Sequence, residues 1–228
     1  MVFNKILIFI FFCFITSCSS VTSYNKIDAT HKSEKEEMRK QGNFLVASMA
    51  SASRKLHDIA WPIMKANIDA CINSRINAFG LMIAHSNDLQ VSLRPSFLSA
   101  SPNILVNKNT YTDLPMIISV ANDSPANNAD IKEGSFILSI DNSPATSINY
   151  KNLLVQSAKK ERLKIEVKGL KEDLIYNLNS EVICGYPVQV MVSPIPNAYA
   201  DGSKIYITVA TLDFIKDDQE IAFLISHE

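Results

Sequence analysis

Apolar positions fall into three successive patterns along the chain, and each predicts a different kind of structure. Over residues 43–72, Leu45, Met49, Ala52, Leu56, Ile59 and Ile63 recur at three- and four-residue spacing. That is the period of a helix with one buried face. Pro62, after Trp61, predicts a kink or split there, with a second helical stretch through Ile68 and Ile72. From Asn87 to about Ser180 the apolar runs shorten. Residues 116–120, 136–140, 163–167 and 174–178 have the length and composition of strands. Turn chemistry separates them, in Asn122-Asp123-Ser124-Pro125 and Asp141-Asn142-Ser143-Pro144. Residues 148–160 read as a short helix. Beyond Cys184, residues 188–192 and 204–209 are strand-like, and residues 217–228 read as a capped apolar helix. There Asp217 caps, Glu220 stands three residues on as in a capping box, and Ile221, Ala222, Leu224 and Ile225 form the buried face. The fold class is α+β: a helical N-terminal part over 43–86, a β-rich insert over 87–180, and further strands and a helix over 181–228.

The first residues belong to a different pattern. Lys5 precedes the apolar run 6–15, followed by Thr16, Ser17 and Cys18. The run fits the apolar region of a signal peptide, and it falls short of the roughly 20 residues a membrane-spanning helix needs. Ile15-Thr16-Ser17-Cys18 resembles the bacterial lipoprotein box. That resemblance implies a signal peptide over 1–17, lipidation of Cys18, and a membrane anchor through that N-terminal lipid. Ser19 behind the cysteine implies the outer membrane, facing the periplasm. An ordinary secretory peptide or an uncleaved anchor are the other readings of the same run. Residues 18–42 are polar and charged, a tether that turns helical near Glu34.

Composition adds little beyond this. The chain has 228 residues, 47% of them hydrophobic, enough for one large domain or two small ones. The formal net charge is −1 and no basic block stands out, so the footprint of a nucleic-acid partner is missing. Of four cysteines, Cys13 and Cys18 lie in the export segment. Cys71 and Cys184 remain, and in an exported chain they form either one long-range disulfide or two buried thiols.

The β-rich stretch resembles a PDZ domain of the bacterial protease type. The resemblance is carried by Val120-Ala121-Asn122-Asp123-Ser124-Pro125-Ala126 and then by residues 129–141, Ala129-Asp130-Ile131-Lys132-Glu133-Gly134-Ser135 leading into Phe136 and Ile137. Asp130 stands where that pattern has Gly, and Ser135 where it has Asp. Such domains add an extended peptide as a strand and hold its carboxylate on backbone amides. On this resemblance the carboxylate loop precedes the strand at Met116, near Leu114-Pro115.

The C-terminal segment carries the chemistry. Asn197-Ala198-Tyr199-Ala200-Asp201-Gly202, then Ile205-Tyr206-Ile207-Thr208, then Leu212, then Asp218 to His227-Glu228 resembles the zinc metallopeptidases related to HtpX and the CAAX prenyl protease. Thr211 departs from that pattern, which has Gly there. The resemblance implies a zinc-dependent metalloendopeptidase acting on protein or peptide substrates. His227 would ligate Zn2+, and Glu228 would be the catalytic base of an H-E-x-x-H signature. The strand over 204–209 would be the edge to which substrate adds, with Asn197 and Ala198 leading into it. The second His and the downstream Glu ligand are not in the 228 residues, so the chain reads as a truncated peptidase, inactive alone. His57 and His85 have no spacing that makes them substitutes. The competing reading is a non-enzymatic lipoprotein that binds polypeptide through the PDZ-like module.

Overall fold

The computed structural model describes residues 31–102, 113–169 and 172–228. Residues 1–17, expected to be a signal peptide, Cys18 and the first part of the expected tether lie outside them. The chain divides into two compact units, residues 1–37 and 38–228, and of the first only the opening turns of one helix are described. None of the helices among the described residues is long and apolar enough to cross a membrane.

Helix α1 spans His31–Ala66. It begins a few residues before Glu34, because the tether's Glu, Lys, Arg and Gln residues are good helix formers in their own right. Pro62 does not split it. Leu56, Ala60 and Trp61 before the proline are buried, and Ile63 and Met64 after it pack on the same side. Packing on both sides of the proline carries the last turn through. The second helical stretch is replaced by turns over 67–71 and a 3-10 turn, Ile72–Ser74.

Strands then begin earlier than the apolar pattern implied. β1 is Arg75–Ala78 and β2 is Leu81–Ala84, so the helical part does not extend to 86 and the β-rich module opens near residue 79. The turn between them depends on Gly80, at φ +74°, where a Cβ would lie 2.0 Å from the Ser124 Cβ. After two 3-10 segments, Ser86–Asp88 and Val91–Ala100, comes β3, Met116–Val120. It pairs antiparallel with β2. Its other side is also taken, since Ile117 N–H donates to Ser135 O at 3.0 Å and Gly134 N–H to Ile117 O at 2.8 Å. Strand β3 is therefore bonded on both sides at Ile117.

A short helix α2, Pro125–Asn128, is capped by the Ser124 hydroxyl, which accepts from Asn127 N–H. Asp130 follows at φ +60°. Asp tolerates that left-handed position, which is why the departure from Gly costs the fold little. Next come β4, Ile137–Ile140; β5, Ser143–Pro144; α3, Tyr150–Lys159; β6, Arg162–Val167; and β7, Leu174–Asn179. These strands form an antiparallel sheet in the order β5-β4-β6-β7. Its inner face and α3 close a core of Ile117, Ile137, Ile140, Tyr150, Leu163 and Ile165.

β8, Glu181–Cys184, returns to pair antiparallel with β1. The two make a ribbon through which the chain enters and leaves the β-rich module. Cys71 and Cys184 are joined as a disulfide at its base, with Cα atoms 5.4 Å apart. The rest is β9, Val188–Met191; β10, Ala198–Ala200; β11, Ile205–Thr208; α4, Val209–Phe214; and α5, Asp218–His227. The order in this sheet is β10-β11-β9, with β10 antiparallel and β9 parallel to β11. Helix α4 was not legible as a helix; the Thr208 side chain starts it by accepting from Thr211 N–H. A separate core, of Leu56 and Ala60 from α1 with Ile207, Leu212, Ile221 and Ile225, binds sheet and helices together.

Candidate active-site elements

Helix α5 spans the expected residues and carries the expected cap, while Glu220 in its first turn is exposed. Asp217 caps it, accepting from Gln219 N–H at 2.9 Å, and an acidic first turn complements the helix dipole. Ile221 and Ile225 turn inward onto α1 and β11, so the opposite face meets solvent. On that face His227 is exposed, its ring stacked on Phe223 one turn back with centroids 6.5 Å apart. Glu228 follows, its N–H donating to Leu224 O at 3.2 Å.

These residues do not by themselves fit a catalytic zinc ion. Catalytic zinc takes three protein ligands and an open position. Among the described residues no three His, Cys, Asp or Glu side chains gather as a metal group. His57 and His85 are engaged elsewhere. The Nδ1 of His57 lies 2.9 Å from the Ser119 hydroxyl, and that of His85 accepts from Asn87 N–H at 3.0 Å.

The edge strand lies elsewhere than the resemblance implied. β11, over 205–208, is the central strand, flanked on both sides, and β10 is the edge. Thr208 N–H donates to Asn197 O and Asp201 N–H to Lys204 O. These bonds set the alternation of the antiparallel ladder. Tyr199 faces β11, opposite Tyr206, while Ala198 and Ala200 turn their N–H and C=O groups away from the sheet. Ala198 lies in the edge strand, with its backbone groups turned outward. Asn197 does not. Its N–H donates to the Thr208 and Thr211 hydroxyls, at 3.0 and 2.7 Å, and its carbonyl accepts from Thr211.

The rest of this hairpin is equally well tied. Tyr199 and Tyr206 stack on the face away from the core, centroids 5.0 Å apart, and Tyr199 OH donates to the Met191 sulfur. At the turn, the Asp201 carboxylate accepts from the Ser203 hydroxyl and from the Ser203 and Lys204 N–H groups. Those bonds hold its pKa down at about 2. Ala198 packs in the same core as Ile221, Leu224 and Ile225, so the edge strand and α5 share one foundation.

A second feature escaped the sequence reading. One face of α1 meets the β-rich module through polar groups. Arg54 pairs with Glu133 at 3.6 Å and donates to Ala100 O, His57 meets Ser119, and Asp58 accepts from Asn122 N–H. Burial lowers the His57 pKa to about 4 and raises those of Asp58 and Glu133. His57 and Trp61 also line a cleft of about 850 Å3, shared with Met82 of β2, Leu154 of α3 and Val188 and Val190 of β9. The only signal for this joint in the sequence is that 54, 57, 58 and 61 fall on one helical face.

The model of peptidase family M48 matches residues 158–228, beginning inside α3 and so taking in β6 and β7 as well as the segment with His227. No curated protein matches the chain. Among solved structures, the HtrA3 PDZ domain bound to a phage-derived ligand is 19% identical, with a TM-score of 0.33, over 47% of this chain and 88% of that one. The HtrA-type protease AlgW with a decapeptide is 22% identical, with a TM-score of 0.33, over 47% of this chain and 29% of that one. An aminopeptidase N family protein from Idiomarina loihiensis is 17% identical, with a TM-score of 0.28, over 45% and 18%.

Proposed function

We propose, on the premise that residues 158–228 belong to peptidase family M48, that this chain is part of a zinc-dependent metalloendopeptidase acting on proteins of the bacterial cell envelope. The observation that carries the reading is the common core under β10 and α5. It places an edge strand with two outward-facing backbone positions beside the helix that presents His227 and Glu228. A substrate in extended form adds to β10 through Ala198 and Ala200. Their outward-facing N–H and C=O groups receive the second backbone. Glu228 takes the proton of the attacking water and passes it to the leaving amine. His227 is one metal ligand, and the chain alone neither retains zinc nor cleaves protein, because one imidazole is too small a donor set. Lipidation at Cys18 anchors it to the outer membrane facing the periplasm; palmitate labelling lost in Cys18→Ser checks that.

The decisive experiment supplies the missing donors. The segment that follows the H-E pair in an active M48 peptidase is fused after Glu228, and zinc content and casein cleavage are measured. The chimera is expected to hold one zinc per chain and to cleave. His227→Ala should lose the metal, and Glu228→Gln should keep it while losing about 100-fold or more in rate. A chimera that holds zinc and cleaves equally well with Glu228→Gln refutes the role of Glu228.

A second reading has its own observation. Among the described residues β2 pairs only with β3, and its Leu81 and Met82 line the 850 Å3 cleft with α3. A non-enzymatic polypeptide-binding lipoprotein would use β2 and that cleft. An inactive chimera together with saturable binding of extended peptides, lost when Met82 is changed to Pro, would favour it.

A further inference from the structure

The turn that leads into β10 is held by two buried threonine hydroxyls, and their bonding is unusually complete. Thr208 and Thr211 are 0% and 5% exposed. The Thr208 hydroxyl donates to Ile195 O at 3.0 Å and accepts from Thr211 N–H at 3.2 Å, which caps α4. The Thr211 hydroxyl donates to Asn197 O at 2.8 Å and lies 2.8 Å from Thr208 Oγ1. Both oxygens accept from Asn197 N–H. Two side chains thus join the end of β11, the start of α4 and residues 195–197, the approach to β10.

We infer that Thr211 is a positioning residue for β10, its hydroxyl fixing the register in which Ala198 and Ala200 face outward. The argument is one of alternation. Sliding the strand by one residue would turn Tyr199 toward the open edge and swing Ala198 and Ala200 against β11. It would also pull Asn197 away from both hydroxyls and take from the Thr211 hydroxyl its carbonyl acceptor, which is costly at a buried site. The inward-facing row of Ala198 against Ile207 and Ala200 against Ile205 resists the same slip from the core side. Valine at 211 would fill the same space without the hydroxyl, and glycine, the residue of the resembling pattern, would lack both. The functional meaning of the inference rests on the peptidase reading of β10; its structural half does not.

Amide hydrogen exchange on the purified chain, followed by NMR, tests the structural half. In Thr211→Val the Asn197 and Tyr199 amides are expected to exchange at least tenfold faster, with β6 amides within twofold of wild type. Thr211→Ser should return Asn197 and Tyr199 to within threefold. Thr211→Ala is read in the same way should the valine chain not fold. Unchanged exchange at Asn197 and Tyr199 in the hydroxyl-free variants overturns the inference. So does a serine variant that behaves like valine, since packing of the methyl group would then explain the effect. The functional half is read in the zinc-binding chimera, where Thr211→Val should raise KM at least fivefold with kcat within twofold. A fall in kcat at constant KM would overturn that half. An inactive chimera with wild-type-like exchange behaviour in Thr211→Ser would sink the peptidase reading while leaving the register lock intact.

Discussion

At the level of single residues, His57 shows how a side chain that looked unremarkable in sequence becomes a determinant of stability. His57 Nδ1 lies 2.9 Å from the Ser119 hydroxyl, which can give or take the hydrogen bond with either tautomer of a neutral ring. The neutral imidazole fits this arrangement, and burial holds its pKa at about 4, below the ordinary 6.5. A histidine whose folded pKa is depressed binds fewer protons folded than unfolded. Its contribution is therefore complete above pH 6.5 and is lost as pH falls toward 4. The slope for one proton is at most about 1.4 kcal/mol per pH unit. Asp58 and Glu133, both raised by burial, act in the opposite sense, since acidification relieves the cost of their buried charges. The difference between wild type and His57→Gln isolates the imidazole. Measured by urea unfolding from pH 7 to pH 4.5, the wild-type advantage should shrink as pH falls; a pH-independent difference would show that His57 does not titrate in the joint. Trp61, whose ring meets His57 edge-on with centroids 6.2 Å apart, is the chain's one tryptophan and reports the same event by fluorescence.

At the level of elements, local pattern and tertiary context divide the outcome between them. Strands β3, β4, β6, β7, β9 and β11 and helices α1, α3 and α5 were legible, because each has an apolar period or run of the right length bounded by turn or cap chemistry. The strands at 75–84 were not, because Gly80 alone marks the turn between them, whereas the equally short β4, β9 and β11 are set apart by turn residues at one or both ends. Helix α4 was hidden for a related reason: its six residues continue the strand-like run of β11, and only the buried bonding of Thr208 and Thr211 ends the strand. In the candidate site, the capped helix with His227 was readable. That β11 is central and Asn197 is tied inward followed only from the pairing order, which no local pattern encodes. Gly80 gives the sharpest test at this scale. Gly80→Ala places a Cβ at φ +74° and against Ser124, whose hydroxyl caps α2. Strain and displaced cap together should cost about 2–4 kcal/mol, read as a fall in the urea midpoint at unchanged m-value. An alanine variant within 0.5 kcal/mol of wild type would mean that β2 and α2 move apart without penalty.

At the level of the whole molecule, the β-rich module is an excursion from the helix-and-sheet core, leaving and returning through the β1–β8 ribbon. The Cys71–Cys184 bond closes that excursion, with a sequence separation of 113. Closing so long a loop restricts the unfolded chain by roughly 4–5 kcal/mol in the chain-entropy account. The native contacts near it do not need the bond to exist. Arg75 is already registered opposite Cys184, and Gly185 N–H donates to Ser74 O, so the ribbon keeps the two ends together in the folded state. Its removal is therefore expected to act mostly on the unfolded ensemble. The Cys71→Ser/Cys184→Ser chain should retain its far-ultraviolet circular dichroism and its Trp61 emission at zero denaturant. It should unfold at lower urea, with a loss of about 3–5 kcal/mol. Wild type in excess reductant should match it. A loss confined to the signal of α1 and α5, with the β-rich sheet unfolding at its original midpoint, would show instead that the bond clamps two separately folding parts. That outcome would replace the loop-closure account with one of domain coupling, because the excursion would then be stable without its closure.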